Sequence, residues 1–230
     1  MRIPSAARML LVPTLLFTLQ GRLQGQGSAH PAGHDHADPD KAVAGGGKIP
    51  AGWSVRPDGN AGTANVKIAP MGSGMRVTLG PAVILYRASQ EGKGPFHTLA
   101  TFTQMKPAAH PEGYGLFYGG TGLDGAGQKY TYFLVRQDGT YLVKQREGDK
   151  TTEITKGWAA SPAVHKPDAQ GTATNMLEID HKQDPSKYVF LVNGEPVYSL
   201  DAKASNADGA VGLRINHNLD VRVEGFDVHR

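Results

Sequence analysis

The stretch Glu178-Ile179-Asp180 places two carboxylates at alternate positions of a run, Asn175–His181, that reads as a β-strand. Alternate residues of a strand share a face. Retaining glycoside hydrolysis uses such a pair about 5–5.5 Å apart, one acid as nucleophile and the other as acid/base. The plainer account is that Leu177 and Ile179 face a core while Glu178 and Asp180 are solvated. That account is preferred, so no catalytic residue is assigned, and Glu178 and Asp180 remain the catalytic alternative.

Strand parity offers a second constellation. With Phe133 and Val135 inward, Tyr130, Tyr132 and Arg136 line the opposite face; with Val211, Leu213 and Ile215 inward, Arg214 and Asn216 do the same. Joined by Trp158, Glu178 and Asp180, these residues would make one polar-aromatic sheet face. Sugars suit such a surface: hydroxyl pairs take paired hydrogen bonds from Arg and Asn, and C–H faces rest on aromatic rings. The six candidate ligand-binding residues are therefore Tyr130, Tyr132, Arg136, Trp158, Arg214 and Asn216. The bland counterpart is the solvated face that antiparallel sandwiches usually carry. If the face is solvated, Tyr132→Ala or Arg214→Ala would weaken binding and leave stability nearly unchanged. A glycan and another polar ligand are not distinguished.

Histidines supply the third group. His30, His34 and His36 alternate with Asp35, Asp38 and Asp40, and imidazole with carboxylate suits zinc, copper or nickel. Cleavage after Gly27 would leave Ser28-Ala29-His30, whose amine, backbone nitrogens and imidazole form a square-planar copper(II) or nickel(II) site. The bland counterpart is a polar tail with incidental histidines. His217, in Asn216-His217-Asn218, reads as a turn residue. Asp124, Asp138 and Asp208 each sit beside glycine, where turn chemistry explains them and calcium is the alternative. No His-Glu-x-x-His, Gly-x-Ser-x-Gly or phosphate-loop motif occurs.

The elements that would position these residues are strands. Thirty glycines and 15 prolines in 230 residues, without a three-residue period, argue against both a helical protein and collagen. There is no cysteine, which removes disulfides, thiolate metal sites and a cysteine nucleophile. Arg2 and Arg8 precede the apolar run Met9–Leu19 and the small residues of 21–29, so residues 1–27 read as a secretory signal peptide. Its apolar run is too short to span a bilayer. Without this segment, which holds Arg2, Arg8, Arg22 and no acid, 21 bases face 21 acids. A nucleic-acid footprint and a polybasic membrane patch both disappear with that excess. Residues 28–50 read as a flexible tether and 51–230 as one β-sandwich domain, secreted or periplasmic, with a carbohydrate or other polar extracellular ligand.

Fourteen short candidate strands run from Trp53–Arg56 to Asp220–His229, each bounded by turn residues, with no helical period among them. Asp138-Gly139 and Asn193-Gly194 predict two hairpins with primed turns, which need positive φ angles. The expected fold is an all-β, antiparallel two-sheet jelly-roll sandwich.

The order YGLFYGG, YTYFLVRQDGTYLVKQREG, NMLEI, YVFLVNGEPVYSL, GAVGLRINHNLDVRVEGFDV resembles the concanavalin A-like lectin/glucanase sandwich across roughly 98–228. It is most like the secreted laminin-G-like and 3-keto-disaccharide hydrolase-like domains. In the related family 16 glycosidases an alternating Glu-x-Asp-x-(x)-Glu strand carries the chemistry, but Lys182 and Gln183 stand here where the last Glu would come. The resemblance, with that departure, implies a non-catalytic carbohydrate-binding module. The alternatives are a glycan-cleaving hydrolase using Glu178 or Asp180, and a protein-binding or structural envelope sandwich.

Overall fold

A computed structural model describes residues 40–230. The signal segment and the cluster of His30, His34 and His36 lie outside the described residues. Alternating apolar and polar residues pair into two antiparallel sheets. The eight-stranded sheet has β1 (Ser54–Pro57), β4 (Val83–Gly92), β14 (Gly209–Ile215), β6 (Gly113–Thr121), β7 (Lys129–Arg136), β8 (Thr140–Glu147) and β10 (Ala159–Ala160) in that order, with β9 (Lys150–Glu153) also pairing β8. The seven-stranded sheet has the order β13 (Glu195–Asp201), β12 (Lys187–Val192), β11 (Ala173–Asp180), β5 (His97–Gln104), β15 (Asp220–His229), β3 (Gly74–Leu79) and β2 (Val66–Met71). A single 3₁₀ turn, Ala202–Ala204, is the helical element among the described residues.

The inward-facing halves of the strands meet in one core. Phe133, Val135, Val211, Leu213 and Ile215 enter it from one sheet and Phe102, Leu177, Ile179, Phe190 and Val221 from the other, all essentially inaccessible to water. Tyr118 lies against Tyr188 with ring centroids 4.6 Å apart, bridging the layers. Burying each such large apolar side chain contributes about 1.5–3 kcal/mol. The predicted strands fall on observed ones except Glu153–Thr155, which shares only Glu153 with β9; Lys129–Arg136 and Asp220–His229 agree residue for residue, and the two-residue β10 has no predicted counterpart.

Three expectations need correction. The Asn193-Gly194 hairpin has the predicted primed character, with φ of 52° and 83°. At Asp138-Gly139 only Gly139 is left-handed (φ 86°); its N–H donates to the Arg136 carbonyl, and Arg136 pairs with Thr140 across a three-residue loop. A three-residue loop places its one left-handed residue last, so glycine is needed there and Asp138 keeps an ordinary φ. The tether expected over 28–50 also ends early, because residues 40–50 are tied to the sandwich. Lys41 and Val43 donate their N–H groups to the Asn218 and Asn65 side chains, and Gly47 donates to the Val66 carbonyl. Finally, β11 lies in the seven-stranded sheet, so Glu178 and Asp180 do not share a face with Tyr132 and Arg214.

Candidate binding face on the eight-stranded sheet

Register places the predicted residues. One row across the outer face of the sheet runs Arg56, Ile84, Arg214, Gly115, Leu134, Leu142; the next runs Ser54, Tyr86, Gly212, Phe117, Tyr132, Lys144, Glu153. Arg136 is opposite Gly113, and Tyr130 opposite Arg146. Tyr130, Tyr132, Arg136, Trp158, Arg214 and Asn216 therefore gather on or beside one face, away from the core.

That face is not the solvated surface considered as its alternative. Ile84, Phe117, Leu123, Tyr130, Tyr132 and Leu134 form a second apolar cluster, with Tyr86, Trp158 and Ala210 packed on it. Tyr130 and Tyr132 are only 3% and 6% exposed, and Arg214 5%. The expectation that Tyr132 and Arg214 can be replaced at little cost to the fold is therefore corrected: these side chains are packed. Leu123, from the β6–β7 connection, and Asp58, just after β1, cover them from one flank.

The electrostatic centre is an ion pair between the buried Arg214 and the partly exposed Asp58. Arg214 grips both carboxylate oxygens of Asp58, at 2.8 and 2.6 Å, while its Nε donates to the Asn216 side-chain oxygen at 3.1 Å. Arg146 donates to the same carboxylate at 3.1 Å. Burial alone would raise the Asp58 carboxyl, but its hydrogen bonds and charge attraction to Arg214 and Arg146 outweigh burial and hold it below the usual value. Burial likewise works against the Arg214 charge, and Asp58 more than compensates, so Arg214 stays protonated. The Tyr132 hydroxyl is pushed up to about 12 by burial, so it remains a neutral donor.

Trp158 forms the other flank. Its indole carries the Arg136 guanidinium 4.3 Å above the ring, and Arg136 is held in turn by Asp138 at 2.7 Å and by Thr140 at 2.9 Å. A Cβ on Gly113 would lie 2.7 Å from the edge of that indole, so only glycine lets the ring lie down on β6. Arg214 lies 5.8 Å over the Tyr132 ring. Aromatic surface and fixed, charged donors thus share one half-exposed strip.

Sequence reasoning missed Asp58, Arg146, Arg56 and the apolar floor of Ile84, Phe117, Leu123 and Leu134. Parity would have found Arg146, since it is opposite Tyr130. Nothing local marks Asp58, whose partner is 156 residues away.

Glu178 and Asp180 are on the outer face of the other sheet. The Glu178 carboxylate meets His97 Nε2 at 3.0 Å, and one Asp180 oxygen accepts the Lys182 and Gln183 N–H groups at 2.7 and 3.0 Å, closing the turn after β11. Leu177 and Ile179 point into the core, as the plainer account has it. His217 meets Asp40 at 3.0 Å. Among the described residues no group of three or more His, Asp or Glu side chains is placed to hold a metal ion, and no helix is long and apolar enough to cross a membrane.

No protein-family profile and no curated protein matches the sequence. Solved structures do match. A carbohydrate-binding module, CBM66, from Bacillus subtilis aligns with a TM-score of 0.56 at 10% identity, covering 78% of this chain and 96% of that one. A Bacillus subtilis protein of unknown function with a galectin-like fold aligns at 0.55 and 12%, covering 77% and 88%. The carbohydrate recognition domain of Emp46p, in metal-free form, aligns at 0.50 and 10%, again covering 77% and 88%. At such identities the likeness is one of fold. The chain folds as a concanavalin A-like jelly-roll sandwich.

Proposed function

We propose that this is a secreted, non-catalytic carbohydrate-binding domain that holds its ligand on the outer face of the eight-stranded sheet. The observation that carries the reading is a partly exposed strip of Trp158, Arg136 and Asn216 over a packed floor of Tyr132 and Arg214, with the arginines fixed by Asp58 and Asp138. Donors that are already oriented lose little freedom on binding, and the stacked Arg136–Trp158 pair sets a cation and an aromatic edge side by side. Two of the aligned folds carry carbohydrate-binding names, which supports the ligand class. The carboxylates considered for catalysis have structural partners instead: Glu178 bonds His97 and Asp180 closes a turn.

A glycan array probed with the full protein, followed by product analysis of each bound glycan, tests the proposal. Retention of a saccharide without cleavage, lost in Trp158→Ala, is the expected result. Sugar release abolished by Glu178→Gln would replace binding by hydrolysis. Retention of no glycan would favour the protein-binding sandwich.

A further inference from the structure

The outer face of the eight-stranded sheet carries more guanidinium than carboxylate, and the surplus collects at one place. Arg136 is matched by Asp138 at 2.7 Å and Lys144 by Glu153 at 3.5 Å. On the Asp58 flank the balance fails. Arg214 takes both oxygens of Asp58, Arg146 shares one of them and otherwise reaches only the Gly148 carbonyl, and Arg56 has only the Leu123 carbonyl at 2.6 Å. Among the described residues Asp58 thus serves two guanidinium groups, and Arg56 has no carboxylate partner. Among the described residues the buried Nε of Arg56 and the buried hydroxyl of Tyr130 have no hydrogen-bond partner.

An arginine cannot shed its proton to escape burial. A half-buried guanidinium without a counter-ion costs free energy that an incoming anion would recover. The planar fork of arginine matches carboxylate and sulfate oxygens in particular. Resting on the sugar-binding reading above, we infer that the ligand is an acidic saccharide. Its carboxylate or sulfate group meets Arg146 and Arg56 while its ring lies toward Trp158. Asp58 is a positioning residue here: it holds Arg214 and Arg146 in place and leaves the remaining positive charge for the ligand.

The test arrays the full protein against uronate oligosaccharides, the same oligosaccharides after carboxyl reduction, sulfated oligosaccharides and neutral ones. Acidic chains should bind about tenfold or more tightly than their reduced counterparts, the difference one charge-assisted hydrogen bond makes. The uronate and sulfated arms show which acid group is preferred. Arg146→Gln and Arg56→Gln should each weaken that binding by about tenfold or more. Should Arg146→Gln lower the melting temperature through its lost contact with Asp58, Arg56→Gln, which gives up a single carbonyl bond, carries the test. Lys182→Gln makes the same charge change beyond the opposite sheet and should leave binding as it is. Equal binding of acidic and carboxyl-reduced chains would overturn the inference and leave the sugar-binding reading standing. Equal losses in Lys182→Gln and Arg146→Gln would overturn it too, as diffuse charge attraction. Binding to no saccharide at all would remove both readings.

Discussion

The outer faces of the two sheets are built from similar alternating strands yet differ in kind. On the seven-stranded sheet the outward residues satisfy one another across short distances. Thr103 bonds Thr174, His97 bonds Glu178, and the partly exposed Arg76 grips Asp220. On the eight-stranded sheet the outward residues are large and aromatic, and among them the buried Arg214 is paired with Asp58 from just after β1. Water can stabilise most of the first arrangement after a single loss, the buried Asp220 excepted. The second has excluded much of that water, so its charges depend on one another. That difference is the reason the ligand is proposed to lie on the eight-stranded sheet.

The largest effect should come from Asp58→Ala, which leaves Arg214 buried without its counter-charge. Unfolding in denaturant should show a loss of about 3–5 kcal/mol, with a much smaller loss in the Asp58→Ala/Arg214→Met double variant. A double variant as unstable as the single would mean that the ion pair is incidental. Acid provides a second test of this centre. Because the Asp58 carboxyl is held below its usual value in the folded protein, its stabilising contribution is complete above the unfolded value near ~3.9 and is lost as pH falls through the lower folded value. Melting temperatures followed from pH 5 downward should therefore fall more steeply in the wild type than in Asp58→Asn. Parallel curves would refute that assignment.

Gly113→Ala should come next. The added carbon would sit 2.7 Å from the Trp158 ring and 3.0 Å from Leu134, displacing the indole at a cost of about 1–3 kcal/mol. Near-ultraviolet circular dichroism should register the displaced indole, and an unchanged spectrum would show that the ring has room to spare. The smallest effect belongs to the other sheet. Glu178→Gln should cost no more than about 1 kcal/mol, as exposed or half-exposed pairs generally do, and should leave glycan retention as it is. A large loss of either kind would erase the contrast between the two faces.

How much of this was legible in the sequence depends on range. Position parity in Lys129–Arg136 and Gly209–Ile215 is local, and it sorts Tyr130, Tyr132, Arg136 and Arg214 from the core residues correctly. Asn193-Gly194 reads directly because a two-residue turn leaves few alternatives. The assignment of strands to sheets does not read so directly. Glu178 and Tyr132 have equivalent local patterns, and only the pairing of β11 with β5 and β12 puts them on opposite sides of the molecule. The pairing with β5 joins residues far apart in the chain, and no single segment encodes it. The burial of the outer face escaped for the same reason, since its cover comes from Asp58 and Leu123, which look like ordinary turn residues where they stand.

The central claim, that saccharide is held on the outer face of the eight-stranded sheet, can be read from one chromophore. The chain has two tryptophans; Trp53 stacks on Phe226, outside the residues of this face, and Trp158 stands on it. In a Trp53→Phe protein the fluorescence reports Trp158 alone. Titration with a saccharide retained on the array should shift that emission saturably, with the same dissociation constant that retention gives. Saccharide binding at full affinity with the Trp158 emission unchanged would place the ligand elsewhere and contradict the account.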